Sequence, residues 1–250
     1  MRIYVIILSL LIATSKFLLA QSNSTNPNPT SSEAFVKAVD LYKNAIGRNS
    51  KIFTGILYND SHLGINGDPF FMKDAWEIST IVYEGQPYDS IYIKYDIYKD
   101  IVIVKYVDKR TYVTPLELDK TRIDEFSVMG HHFIRIEFDS LSTMKTGFFD
   151  LLYDGETATV LAKRQKEIRN TYELNKLTWG YDLKEKRYIN LGTNFYEIKG
   201  KKSILDILSD RKNEVKAFLK KNRARLKNDH EKQLIEAVQY YDSIVTNPAL

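Results

Sequence analysis

The chain has 250 residues, a formal charge of +4 and no cysteine. The missing thiols exclude disulfides, thiolate nucleophiles, Cys-ligated zinc, iron-sulfur clusters and a lipid-modified N-terminal cysteine, so stability must come from packing alone. With 17 Tyr and 12 Phe against 11 Gly and 6 Pro, the composition is that of a folded, strand-forming chain long enough to bury a large core.

Met1 and Arg2 precede an apolar run, Ile3 to Ala13, the plan of an export signal. Cleavage is expected after Ala20, with a cut after Ser15 as the second choice. A membrane-spanning helix needs about 20 apolar residues, and Thr14, Ser15 and Lys16 end the run too early. Residues 21–32 are polar and proline-spaced, a flexible spacer. Ser32 then caps an expected helix to Ile46, in which Phe35, Val39, Tyr42 and Ile46 share a stripe and Gly47 is the stop.

Residue types and alternation predict strands from Lys51 to Tyr58 and from Trp76 to Tyr83, with a long irregular loop from His62 to Lys73 between them. A turn at Gly85-Gln86-Pro87 leads into the central feature, a hairpin from Tyr88 to Val107. Its first arm puts Ile91, Ile93, Tyr95 and Ile97 on one face, and Asp96 to Asp100 makes the turn. The second arm, Ile101 to Val107, is apolar on both faces until Lys105 and reads as a central strand. Further strands are expected at 112–118, 123–129, 132–138, 147–153, 157–163, 172–174, 187–191 and 194–198. No long helix separates them, so the fold class is α+β, mainly antiparallel, built as a sandwich, meander or open barrel.

From Lys199 onward the chain turns basic, with 12 Lys/Arg against 7 Asp/Glu, and the apolar period becomes helical. Ser203 is the expected N-cap of a first helix around Ile204 to Leu208. A second runs to about Leu226 with Val215, Phe218 and Leu219 inward. Asn228-Asp229-His230-Glu231 has the form of a capping box before a third helix carrying Leu234, Val238, Tyr241 and Val245 as a stripe. The expected organisation is an export signal (1–20), a spacer (21–32), a β-rich domain with one N-terminal helix (33–198) and C-terminal helices docked on it (199–250).

Four stretches carry a resemblance: Y-D-I-Y-K-D from Tyr95, G-H-H-F from Gly130, G-F-F-D-L-L-Y-D-G from Gly147, and D-R-K-N-E-V-K-A-F-L-K-K-N from Asp210. In this order, and with a Tyr pair at Tyr240 and Tyr241 near the end, the chain resembles a group of uncharacterised exported β-rich envelope proteins of Gram-negative bacteria. The resemblance implies an envelope address. It carries no catalytic residues, since that group has no assigned activity.

Chemistry is sparse. His131 and His132 are adjacent in an expected strand and point to opposite faces, so they do not share a metal. Asp150 and Asp154 have the look of an acid pair, yet Asp154-Gly155 is a turn dipeptide that accounts for Asp154 on its own. Asp60, His62, Asn66 and Asp68 are oxygen-rich without an EF-hand spacing. No nucleophile elbow, phosphate loop, dinucleotide fingerprint or H-E-x-x-H is present. Lys216, Lys220, Lys221, Arg223, Arg225 and Lys227 form a basic helical run without an acid, the candidate contact for an anionic surface.

The reading that follows is an exported, non-enzymatic envelope protein with a structural, binding or assembly role, periplasmic, outer-membrane associated or secreted. Its partner is an envelope protein or an anionic surface. Export argues against nucleic acid, and no metal or cofactor is expected. Two alternatives stand beside it: a carrier of lipid or another apolar ligand in a curved-sheet cavity, and an enzyme of unassigned class.

Overall fold

In the computed structural model, which describes residues 37, 50–59, 64–108, 110–139, 142, 144–173 and 176–246, one open mixed sheet holds twelve strands. The first six are β1 (Ile56–Leu57), β2 (Ile65–Asn66), β3 (Glu77–Tyr83), β4 (Gln86–Asp96), β5 (Ile101–Val107) and β6 (Val113–Glu117). The rest are β7 (Ile123–Val128), β8 (His131–Ile136), β9 (Gly147–Asp154), β10 (Thr159–Glu173), β11 (Lys176–Leu191) and β12 (Asn194–Ile198). Lys37, helical and exposed, is the one described residue of Met1–Gly47, a unit separate from Arg48–Leu250. The expected export signal, the spacer and the rest of the helix from Ser32 to Ile46 lie outside the described residues, as do Asp60 and His62.

The order across the sheet is β1-β6-β5-β4-β3-β7-β8-β9-β10-β11-β12. Two antiparallel meanders therefore run outward from the β3–β7 pair, and only β2, beside β11, pairs in parallel. Four steps separate β4 from β9, about 19 Å across a flat sheet. Yet Tyr95 of β4 and Phe148 of β9 have ring centroids 5.9 Å apart. Such an approach requires the sheet to curl onto itself. Phe126, Phe133 and Phe71 complete the inside, each with edge or stacked contacts to its neighbours at 4.9–6.5 Å. Burying each of these rings stabilises by about 2–3 kcal/mol, and together they fill the concave side.

The central hairpin forms as its pattern requires. Ile93, Tyr95 and Ile97 are buried on the concave face, and Ile101 to Val104 are buried on both faces. The chain reverses from β3 to β4 at Glu84-Gly85, both at positive φ, the conformation of a two-residue hairpin turn. Gln86 and Pro87, expected in that turn, instead begin β4.

Two strand expectations need correction. The expected strand from Lys51 to Tyr58 is a 3-10 turn, Lys51–Phe53, followed by the two-residue β1. Gly55 explains the break, because a Cβ there would overlap the Glu117 carbonyl, so only glycine lets the chain reach β6. The short strands expected at 157–163, 172–174 and 187–191 are parts of one hairpin, β10 with β11, paired continuously from Thr159–Asn190 to Glu173–Lys176. Charged residues hid it: Arg169 and Asp182 pair at 3.1 Å on one face, where alternation of apolar residues is missing. As the turn dipeptide Asp154-Gly155 implies, Asp150 and Asp154 do not form a pair: a bulge in the β9–β10 ladder intervenes, Asp150 is buried and Asp154 lies at the turn.

Four helices follow: α1 (Lys201–Ile207), α2 (Lys212–Lys221), α3 (Arg223–Leu226) and α4 (His230–Thr246). Ser203 is not the N-cap. It is the third helical residue, and its Oγ accepts from the Lys199 and Gly200 amides at 3.0 and 3.1 Å while Gly200 takes the cap position. α4 is capped by Asp229, whose Oδ1 accepts from the Lys232 amide at 2.8 Å. Leu234, Val238 and Tyr241 point inward as their spacing requires, packing with Ala158, Val160 and Ile189 of the sheet and Leu208, Val215, Leu219 and Leu226 of the other helices. The helices thus cover the same face of β10 and β11 that continues the concave side.

Candidate interaction surface

Phe133, Asp150, Ala162 and Arg187 are direct cross-strand neighbours through β8, β9, β10 and β11. Two residues along each strand, His131, Arg164 and Glu185 take the same face. A polar seam results between the aromatic core and the helix-covered core. His131 Nδ1 lies 2.8 Å from Asp150 Oδ2, and Arg164 donates to the same oxygen from Nε and Nη2 at 3.0 and 2.8 Å. Arg164 also reaches Glu185 at 2.5 Å and Glu231 of α4 at 2.9 Å, and Arg187 closes the ring with 2.9 and 3.1 Å contacts to the same two carboxylates. Asp150 and Arg164 are 1% and 5% exposed, so the pair is tolerated only because each charge is matched. A dyad of His131 and Asp150 has the form of a catalytic base and its orienting carboxylate. Here Arg164 already occupies the carboxylate, and the imidazole ring sits edge-on to Phe71 at 5.0 Å.

A second buried cluster seats the turn of the central hairpin. Asp96, fully buried, accepts from the Tyr98 and Lys99 amides and from the Tyr58 hydroxyl, all at 2.9 Å. Burial raises its pKa above the usual carboxylate range. Asp100 pairs with Lys163 at 3.0 Å and with Lys120, and it accepts from the Tyr95 hydroxyl at 2.5 Å. Burial pushes the Asp100 carboxyl up, but the two ammonium groups outweigh it and hold the pKa below the usual range. Lys163, itself lowered by burial against the pull of Asp100, donates to the Phe148 carbonyl at 2.8 Å.

At the far end of α4, Asp242 clasps the turn between β9 and β10. Its carboxylate accepts from the Glu156 and Thr157 amides at 3.0 and 2.7 Å and from the Tyr153 hydroxyl at 2.8 Å. Gly155 makes room, because a Cβ would overlap Asp242 Oδ2 and approach the Tyr153 hydroxyl to 2.6 Å. Burial raises Asp242, yet these hydrogen bonds outweigh it and lower the pKa, while burial and then the Asp242 hydrogen bond push Tyr153 up to about 12. A carboxylate with a depressed folded pKa contributes stability above its unfolded pKa and loses it as pH falls through the folded one. Asp242→Asn should therefore cost about 2 kcal/mol at neutral pH, with the gap to wild type closing as the solution is acidified below the ordinary carboxylate range. Denaturant unfolding of both proteins along a pH series checks this.

Beyond the seam, the outer half of the β10–β11 hairpin is amphipathic. Tyr172 opposes Leu177, Asn170 opposes Trp179, Ile168 opposes Tyr181 and Lys166 opposes Leu183, all on one face. The other face carries Thr171, Thr178, Arg169, Asp182, Glu167 and Lys184. Part of the apolar face is used inside the protein: Tyr98 meets Tyr181 at 5.6 Å, and Lys166 donates to the Asp68 and Phe70 carbonyls at 2.8 and 2.7 Å. The remainder is open, with Tyr172 71%, Leu177 50%, Trp179 45% and Leu183 52% exposed. The sequence reading missed this surface; the alternation of Leu177, Trp179, Tyr181 and Leu183 was its available signal.

Among the residues expected to meet an anionic surface, Lys216, Lys220, Lys221, Arg223, Arg225 and Lys227 are all exposed on α2, α3 and the turn after it. Arg225 is committed elsewhere, bound through both terminal nitrogens to Glu236. The other five have no ion-pair partner among the described residues. His131 and His132 turn to different carboxylates, Asp150 and Glu125, the latter at 3.4 Å. Asp68, from the oxygen-rich loop, accepts from the Phe70 amide at 2.8 Å and pairs with Lys166 at 3.2 Å.

Among the described residues no group of three or more His, Asp or Glu is arranged to hold a metal ion, and no helix is long and apolar enough to cross a membrane. Comparison with models of protein families, with curated proteins and with solved structures finds no match.

Proposed function

We propose that the protein is an exported, non-enzymatic binding protein of the cell envelope that docks through the open apolar face of the β10–β11 hairpin. The observation carrying this reading is the exposure of Tyr172, Leu177, Trp179 and Leu183 on one side of the outer β10–β11 hairpin, whose other side is polar. Contiguous apolar surface of this kind is kept when something covers it. Tyr and Trp are also the side chains that most often anchor an interface. Two observations weigh against the alternatives. A carrier needs a hollow, and the curved sheet is filled by Tyr95, Phe126, Phe133 and Phe148. An enzyme needs convergent polar groups left free for substrate, and the seam spends its carboxylates on Arg164 and Arg187.

Fractionation of the producing cell tests the reading. Wild-type protein is expected with the envelope, shortened by about 20 residues. A variant with Tyr172→Ser, Leu177→Ser and Trp179→Ser is expected to melt as wild type does and to move to the soluble exported fraction. Equal envelope retention of the folded variant would remove the hairpin from the function, and full-length protein in the cytoplasm would remove the envelope itself.

A further inference from the structure

Resting on that reading, we infer that the surface met by the hairpin is an anionic lipid bilayer, and that the basic turn of the helical layer touches it together with the hairpin. α4 fixes the geometry. Its C-terminal end holds the β9–β10 turn through Asp242, and its N-terminal end meets Arg164 and Arg187 through Glu231. Travelling along α4 toward its N-terminus is therefore travelling along β10 toward the hairpin tip.

The chain before α4 moves the same way. Asp210 lies at the C-terminal end, 3.2 Å from the Tyr241 hydroxyl; Phe218 stacks on Tyr240 at 4.5 Å; Arg225 binds Glu236; and Lys227 then precedes His230. Arg223 and Lys227 thus lie toward the end of the helical layer that looks along the hairpin, with Lys220 and Lys221 behind them, between the Tyr240 and Glu236 contacts. From Arg164 the hairpin continues to Glu173, about 30 Å further at the usual rise per strand residue. A surface that reaches both the hairpin tip and that end of the helical layer would meet Tyr172, Leu177 and Trp179 at the one and Arg223 and Lys227 at the other, with Lys220 and Lys221 further back.

That sequence of groups matches a bilayer. Trp and Tyr favour the level of the headgroups, with one side apolar and one tip polar. Amphipathic elements lie in the interface with the apolar face down, and nearby cations add attraction to anionic lipid. A protein partner would require shape complementarity across both features, whereas a fluid surface needs only their common direction.

Vesicle binding with the purified exported chain decides it. In a Trp76→Phe background, Trp179 is the remaining tryptophan, so its emission reports the hairpin alone. Vesicles of equal phosphatidylcholine and phosphatidylglycerol are expected to shift that emission to the blue and to carry the protein on flotation; pure phosphatidylcholine is not. Changing Lys220, Lys221, Arg223 and Lys227 to Gln should raise the lipid concentration for half-binding by up to about a thousandfold, and added salt should act in the same direction. The Tyr172→Ser, Leu177→Ser, Trp179→Ser variant, read by flotation, should not bind. No binding to the mixed vesicles by folded protein, or equal binding to the neutral ones, overturns the proposal. If the hairpin variant still leaves the envelope fraction in that case, the binding reading stands with a protein as partner; if it does not, both fall.

Discussion

Replacing Arg164 by Met is expected to lower the melting temperature by roughly 10 °C. The substitution keeps much of the side-chain volume and removes the cation that Asp150, Glu185 and Glu231 share. Asp150, at 1% exposure, is left with His131 alone. Breaking a buried pair from one side costs about 3–5 kcal/mol, because the surviving charge has neither water nor partner. In a domain of this size each kcal/mol moves the midpoint by about 2–4 °C. The companion Arg164→Met, Asp150→Asn should recover part of the loss by removing the stranded charge. A thermal melt of the wild type, the two single variants and the double variant gives the coupling directly, and a double variant as costly as the sum of the singles would show that the seam carries no shared energy.

Gly147→Ala is expected to be nearly as damaging, for a reason of space rather than charge. The added carbon would overlap Asp100 Oδ2 and lie 2.6 Å from Lys163 Nζ and 3.3 Å from Lys120 Nζ. Those three groups form the seat of the central hairpin's turn, and the Tyr95 hydroxyl ends in it. Overpacking alone costs about 1–3 kcal/mol, and displacing a matched buried cluster brings the expected loss to about 3 kcal/mol or more. Gly130→Ala is the control. A Cβ there meets nothing, and only its positive φ resists the change, for a cost of about 1 kcal/mol. Unfolding by urea should rank the two well apart; equal effects would mean that the turn is not held where the Asp100 cluster holds it.

The central hairpin was legible in sequence because Ile93, Tyr95 and Ile97 repeat with period two and Ile101 to Val104 admit no polar face. The stripe of Leu234, Val238 and Tyr241 was legible for the same kind of reason. What escaped is held by partners far apart along the chain. Asp242 and the Tyr153 hydroxyl are separated by 89 positions, and nothing local marks either. Arg164 lies in a run of mixed charge, A-K-R-Q-K-E from Ala162, where five polar residues in succession look solvated. The fold instead buries Lys163 toward Asp100 and Arg164 toward Asp150, on opposite faces of one strand. Local polarity reports the exposure of a segment only when the segment stands alone, and β10 does not. The apolar side of the outer hairpin was readable in β11, but its β10 partners include Asn170 and Lys166, so half of the signal was diluted.

The short parallel strand β2 constrains the order in which the chain assembles. Its partner β11 is complete only after the long hairpin has closed, and the neighbouring Lys166–Asp68 link joins residues 98 positions apart. Closing so large a loop before its partner exists has an entropic cost with no contact to offset it. The meander from β7 to β12, whose neighbours are also neighbours in sequence, has no such debt and can nucleate first. The segment around β2 is then expected to settle late, and by the same token to be among the first parts of the described sheet to exchange its amide hydrogens with solvent.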